Sequence, residues 1–349
     1  MNKLLHALRG MDIPPTTVME VCGTHTNAVA RFGLRQLLPP GMRLISGPGC
    51  PVCVTDGTDL AAALFLAHMP GVAVYSFGDM LRVPAAGDSL LRARELGADV
   101  RIATSPMDAL EAALSETDKE IVWLGVGFET TAPMTAALLL RAREAGVGNL
   151  SVLCAHKTMP AALRSLLRDN QRVDALLCPG HVAAITGAED FRFVPEELRM
   201  PAVVAGFEPE EIALALLQIA RMRQRGQVEL ANCYPAAVSA EGNPAAKALL
   251  TAVFEPVTAR WRGLGEIAGS GLGLRREFAG FDARRRFDLP EFPPGEDAAG
   301  CRCADLLRGE AEPRQCPLFG RGCTPDRPAG PCMVSAEGAC AAVYRYGGN

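Results

Sequence analysis

Aromatic side chains are scarce in this 349-residue sequence, at 5% of the chain with two tryptophans. That scarcity removes the stacking platforms on which single-stranded nucleic acid is usually held. Positive charge is lacking as well: the formal net charge is −4 and the isoelectric point about 5.8, so the chain as a whole does not attract polyanions. Nucleic acid is therefore not an expected partner. No long apolar run is present. The longest, Ala61 to Phe77, is broken by His68 and by Pro70-Gly71, short of the ~20 residues a spanning helix needs. No membrane contact is expected. The first ten residues have neither the apolar core nor the cleavage site of a secretory signal, and a cytoplasmic protein is expected.

Cysteine is abundant instead, with twelve in the chain. In a cytoplasmic protein, where thiols are kept reduced, such a set points to metal binding or thiol redox chemistry rather than a static disulfide framework. The 49% hydrophobic and 21% charged content is that of an ordinary globular protein. Its length suggests two or three domains.

Short β-rich apolar runs alternate with Ala/Leu-rich segments from about Met42 to Gly206. Strands are expected at Arg43–Ser46, Val72–Ser76, Val100–Ala103, Ile121–Val126, Leu150–Cys154, Ala175–Cys178 and Ala202–Ala205. Helices are expected at Asp59–His68, Ser89–Leu96, Met134–Ala145, Ala161–Asp169 and Pro209–Arg223. This alternation implies an α/β fold with two parallel-sheet, Rossmann-like domains. The acidic connection Ser115–Glu120 suggests a boundary near 115, giving domains at 1–115 and 116–225. After Arg225 the texture changes to a glycine-rich stretch, a basic run at Arg284–Arg286 and a proline-containing linker at Leu289–Gly300. A loop-rich, cysteine-bearing third domain is placed at 226–349. The basic run reads as a solvated face, because acidic residues flank it.

In the C-terminal segment Cys303, Cys316, Cys323 and Cys340 form C-x12-C-x6-C-x16-C. Four thiolates hold either a [4Fe-4S] cluster or tetrahedral zinc, and the wide gaps favour iron–sulfur over the close pairs of zinc sites. Cys301 and Cys332 lie in the same segment as spare candidates. A second motif, Cys50-Pro51-Val52-Cys53, follows a predicted strand, where a helix N-terminus stabilises thiolates and the pair can cycle between dithiol and disulfide. The third is Cys22-Gly23-Thr24-His25, a thiol beside an imidazole. Such pairs serve as nucleophile and base or as metal ligands, although an isolated Cys-x-x-His is more often simply packed.

Gly125–Pro133 resembles a nucleotide-binding turn but lacks both the third glycine of a dinucleotide fingerprint and the Lys of a P-loop. Glu129 there offers a carboxylate at a strand end, or the acidic first turn of a capped helix. His156, His181 in Pro179-Gly180-His181, and Glu208 in Gly206-Phe207-Glu208-Pro209 also follow strands. Ligands of parallel sheets bind beyond the strands' carboxyl ends, so one site could collect Cys50, Cys53, Glu129, His156, His181 and Glu208.

Together, Cys-Gly-Thr-His (22–25), Gly-Pro-Gly-Cys-Pro-Val-Cys (47–53), Gly-Phe-Glu-Thr-Thr-Ala-Pro (127–133), Pro-Gly-His (179–181) and the C-terminal cysteines resemble the HypD family of [NiFe] hydrogenase maturation proteins. The resemblance runs from about Met19 to Tyr346. It implies a [4Fe-4S] cluster held by Cys303, Cys316, Cys323 and Cys340. It also implies Cys22 as the thiolate holding a transient iron with CN and CO ligands, Cys50 and Cys53 as a redox pair, and His25, Glu129 and His181 in support. Implied partners are a HypC-type chaperone, on which the Fe(CN)2CO unit is built, a HypE-type cyanide donor and, indirectly, the hydrogenase large subunit. Cys301 and Cys332 are additional to the four-ligand pattern. Two other readings compete: an iron–sulfur dithiol–disulfide oxidoreductase acting on a partner protein, and a zinc-stabilised binding module.

Overall fold

The computed structural model describes residues 2–85, 87–168, 170, 172–295 and 297–347. The two chain ends and Asp169, the predicted last residue of one helix, lie outside the described residues. Eleven strands form two parallel sheets and a hairpin. The first sheet joins β1 (Thr16–Glu20), β2 (Met42–Ser46), β7 (Ala175–Pro179), β8 (Ala202–Ala205) and β9 (Leu230–Asn232) in the order β2-β1-β7-β8-β9. The second joins β3 (Val72–Ser76), β4 (Val100–Ile102), β5 (Glu120–Gly125) and β6 (Leu150–Cys154) in the order β4-β3-β5-β6. The antiparallel hairpin is β10 (Phe254–Trp261) and β11 (Gly265–Leu274), with a register shift between Val257 and Ala259.

Alternation along each strand sends neighbours to opposite faces. In the first sheet Val18, Leu44, Leu177 and Val203 enter one core, while Met19, Ile45, Leu176 and Val204 enter another. That second core also contains Cys50, Cys53, Cys303, Cys323, Cys332 and Cys340. The C-terminal segment therefore packs on a face of the first sheet. In the second sheet Val74, Val122 and Leu124 face away from Tyr75, Ile121 and Trp123 in the same manner. Both faces of these central strands are covered, which is why β5 reads as the nearly unbroken apolar run Ile121–Gly125.

The two-sheet α/β architecture follows the sequence-based expectation, but sheet membership does not divide at residue 115. β3, with β4 on its other side, pairs with β5 across that position, whereas β1, with β2 on its other side, pairs with β7 in the sheet that continues to β9. The chain starts the first sheet, leaves to build the second, and returns. The acidic connection near 115 is one corner of an ion network, in which Arg101 bonds Glu116 at 2.5 Å and Asp99 at 2.6 Å, and Lys119 bonds Asp99 at 2.8 Å. Its polarity serves those pairs rather than a linker.

The hairpin binds the units together. Arg262 N–H donates to Val54 O at 3.0 Å, its guanidinium to Thr55 O at 3.1 Å and to Asp297 at 2.7 Å, while Thr158 N–H donates to Ser270 O at 2.8 Å. The basic run is paired with acids, Arg284 to Asp59 and Arg286 to Glu120, both at 2.7 Å or less. Among the described residues no helix is long and apolar enough to cross a membrane.

Candidate functional site

In the first sheet the chain runs from β1 to β2 in one direction and from β7 to β8 in the other, so the order reverses between β1 and β7. Such a switch point leaves a crevice at the strand ends where parallel α/β sheets bind ligands. Cys22 follows β1 and His181 follows β7. The two residues from distant motifs are thus carried to the same crevice by topology alone.

Cys22 is the N-cap of the helix Gly23–Arg31, a buried thiol on extended backbone. Burial pushes it up to about 11, against the backbone N–H groups of His25 and Thr24, which favour the thiolate. The sulfur is therefore a protonated thiol that a soft metal ion or an incoming base would have to deprotonate. Gly49 packs against it: a Cβ there would lie 2.2 Å from Cys22 N. This approach, with Gly23 N–H donating to Gly49 O at 2.9 Å, locks the Gly47–Cys53 loop beside Cys22.

His25 is fully buried. Its Nε2 lies 2.8 Å from Gly206 O and so carries the proton, which leaves Nδ1 as an acceptor without a partner. Burial lowers its value to about 4, so it is neutral at pH 7. The support expected of His25 for Cys22 comes from its backbone N–H, while the ring is committed to Gly206 and Phe207. His181 is exposed and stacks on Phe207 with ring centroids 3.8 Å apart. Its value is lowered by burial and raised by Glu337.

Glu337 lies in the C-terminal stretch that ends at Cys340, and nothing in the sequence gives it a role of its own. Its Oε1 accepts from Thr24 Oγ1 at 2.7 Å, and Asn27 Nδ2 donates to the neighbouring Ala336 O at 2.8 Å. A Cβ on Gly23 would meet Glu337 Cβ at 2.5 Å, so only glycine lets the cysteine-rich segment dock on the Cys22 helix.

A second feature is a row of thiols. Cys50 is the N-cap of the one-turn helix Pro51–Val54, its sulfur accepting from Cys53 N–H at 3.3 Å. Cys53 and Cys332 line one small cavity together. The sulfurs of Cys332 and Cys303 are 2.7 Å apart, a contact that puts the pair within reach of a disulfide. Burial raises Cys53, with Cys332 opposing, while contact with Cys332 and then burial raises Cys303. The row ends in a cavity lined by Cys301, Cys303, Cys316, Cys323, Cys332 and Cys340. Cys340 lies close enough to Cys303, Cys323, Cys301 and Cys316 for their charges to raise it further after burial. An adjoining small cavity touches Cys50, Cys53, Cys332 and Glu337 together.

Four thiolates suffice to hold an iron–sulfur cluster, and six sulfurs line this cavity. Among the described residues no group of three or more His, Cys, Asp or Glu side chains is placed to hold a single metal ion. Cys154, which donates to Leu272 O at 3.0 Å, and Cys178, inside β7, lie outside this group.

Other predicted residues separate from this crevice. Glu208 is an exposed N-cap in a capping box with Glu211. His156 is held by Thr135 Oγ1 at 2.9 Å and Gly127 O at 3.4 Å, a satisfied core histidine. Glu129 is buried at the end of β5, accepting from Met159 N–H at 2.8 Å with its other oxygen unpartnered. The helix after it is capped at Thr131 without a side-chain bond, so Glu129 is not a capping group. Burial raises Glu129 from 4.5 to about 7. The folded state thus favours its protonated form; the stability this contributes is complete below pH 4.5 and is lost as pH rises to about 7, a swing of about 3 kcal/mol. Glu129→Gln keeps the acceptor for Met159 and cannot ionise. We expect it to flatten the fall in melting temperature between those pH values and to raise stability at pH 8; an unchanged profile would show that Glu129 is not the group responsible.

The family model for HypD, described as the hydrogenase formation hypA family, matches residues 1–347. A hydrogenase maturation factor HypD of Azotobacter vinelandii is 45% identical over 338 residues, covering 95% of this chain and 89% of the relative. The namesake from Rhizobium leguminosarum bv. viciae is 44% identical over 338 residues, covering 94% and 88%. With one family model spanning nearly every residue and relatives this similar along most of their length, the chain belongs to the HypD family of hydrogenase formation proteins.

Proposed function

We propose that the protein is a hydrogenase maturation factor serving, with a HypC-type chaperone, as the scaffold on which an Fe(CN)2CO unit is assembled for the hydrogenase large subunit, with a HypE-type protein supplying cyanide. The observation that carries this reading is the row of thiols from the six-cysteine cavity through Cys303, Cys332 and Cys53 to Cys50, ending beside Cys22. In this reading Cys22 is the soft ligand for the iron cargo. Cys316, Cys323 and Cys340 hold a [4Fe-4S] cluster. The contact of Cys303 with Cys332 favours Cys301 as the fourth ligand and makes Cys303–Cys332 a second dithiol beside Cys50–Cys53. A [4Fe-4S] group supplies single electrons when bound.

The chain's own part is thiol chemistry. Closing either dithiol to a disulfide releases two electrons and two protons. A Cys332 thiolate attacking Cys53 of a Cys50–Cys53 disulfide forms the Cys332–Cys53 bond and expels Cys50 as a thiolate; attack by Cys303 on Cys332 then releases Cys53. Two exchanges thus transfer oxidation between the pairs without a free carrier. Cys50 and Cys53 are 4% and 1% exposed, which favours this internal relay over direct attack on a partner protein's disulfide. Infrared spectroscopy of anaerobic protein purified with its maturation partners should reveal stretching bands of metal-bound CO and cyanide. Their absence, with iron–sulfur content and bound chaperone confirmed, would replace the scaffold by a dithiol–disulfide oxidoreductase.

A further inference from the structure

We propose that Phe207 is a positioning residue of the Cys22 crevice, a spacer that fixes the buried His25 on one side and holds the exposed His181 toward the crevice on the other. This inference rests on the Cys22 site proposed above. The Phe207 ring centroid lies 4.9 Å from that of His25, tilted by 31°, and 3.8 Å from that of His181, stacked within 23°. Its edge meets Tyr234 at 6.1 Å and 83°. Phe207 is in none of the hydrophobic core clusters. Its ring meets the two histidines and Tyr234 instead.

The segment around it is braced for that purpose. Glu211 Oε2 accepts from both Phe207 N–H at 2.8 Å and Glu208 N–H at 3.0 Å, anchoring the ring to the first turn of the 17-residue helix Pro209–Arg225. The carbonyl just before the ring, Gly206 O, is the one that takes the His25 Nε2 proton at 2.8 Å. A Cβ on Gly206 would lie 2.1 Å from Glu211 Oε2, and one on Gly180, next to His181, 2.3 Å from Ala205 O. The backbone is thus drawn tight beneath the stack. An exposed imidazole without such support samples several rotamers; aromatic stacking shifts that distribution by roughly three- to tenfold.

Phe207→Leu retains an apolar side chain but removes the ring, and Phe207→Tyr restores it. With only five histidines in the chain, NMR of histidine-labelled protein resolves the signals of His25 and His181. Phe207→Leu should abolish the ring-current displacement of the His181 signals and reduce the infrared bands of bound CO and cyanide roughly three- to tenfold. Cluster absorbance and melting temperature should stay as in the unaltered protein, and Phe207→Tyr should recover both signals. Unchanged His181 shifts, unchanged bands despite altered shifts, or a tyrosine variant that behaves like leucine would each overturn the positioning role. If the unaltered protein carries no bands, the scaffold reading falls, and the His181 shifts in the leucine and tyrosine variants decide the spacer role by themselves.

Discussion

Cys22→Ala should reduce the infrared bands of iron-bound CO and cyanide to background while leaving the iron–sulfur absorbance intact. The thiol is small and buried at a helix N-cap, so its loss should cost the fold only about 1 kcal/mol, within the ordinary range for a point substitution. Its chemical effect is much larger, because among the described residues no other cysteine caps the helix after β1; Cys178 is fully buried within β7, and Cys50, on the neighbouring loop, is committed to Cys53. Cys22→Ser is the sharper variant. It keeps the N-cap position and a comparable volume but offers a hard oxygen where low-spin iron prefers sulfur, and should fail nearly as completely. Bands of normal intensity in either variant would remove Cys22 from the role of iron ligand and shift attention to the Cys50–Cys53 turn.

The second large effect separates two neighbouring cysteines. Cys301→Ala should strip the [4Fe-4S] absorbance from the purified protein, whereas Cys303→Ala should keep it and lose the Cys303–Cys332 dithiol, read as two fewer thiols entering disulfides on mild oxidation. The physical ground is the 2.7 Å contact between Cys303 and Cys332, with Cys332 also sharing a small cavity with Cys53. A sulfur so engaged faces the row of thiols. Cys301 is less buried and feels Cys303 and Cys316 on the cavity side. The reverse result, with Cys303→Ala colourless and Cys301→Ala brown, would restore the ligand set implied by C-x12-C-x6-C-x16-C and leave Cys332 without its partner.

These two cysteines mark where the sequence stops being informative. Spacing counts sulfurs within a segment but does not say which of them face each other, and that is decided by packing against Cys53, hundreds of positions away. The strands Val72–Ser76, Leu150–Cys154 and Ala202–Ala205 were legible because a strand buried on both faces needs a continuous apolar run. β1 was not. It is Thr-Thr-Val-Met-Glu after two prolines, and its last residue is an acid that becomes tolerable only when folded, through Arg35 at 2.7 Å and Ser46 at 2.8 Å. The hairpin β10–β11, rich in glycine and punctuated by a bulge, likewise lacks regular alternation. The motifs holding Cys22, Cys50, Cys53 and His181 stood out because unusual residue types cluster locally. Glu337 and Phe207 lie in stretches noticed for Cys340 and Glu208, and their own significance comes from Thr24, His25 and His181, which only the fold brings to them.

The return of the chain to its first sheet has a consequence for the order of events during synthesis. Thr17 N–H bonds the Asp174 carboxylate across 157 positions, beside the pairing of β1 with β7. A ribosome must therefore deliver the whole second sheet before the crevice beyond β1 can close, and longer still before Glu337 arrives to seal it. Contacts this distant form late and slowly. Until then the nascent chain exposes the Cys22 thiol without its pocket. On the proposed role of Cys22 as ligand of the iron cargo, full-length translation would precede a complete cradle for the metal.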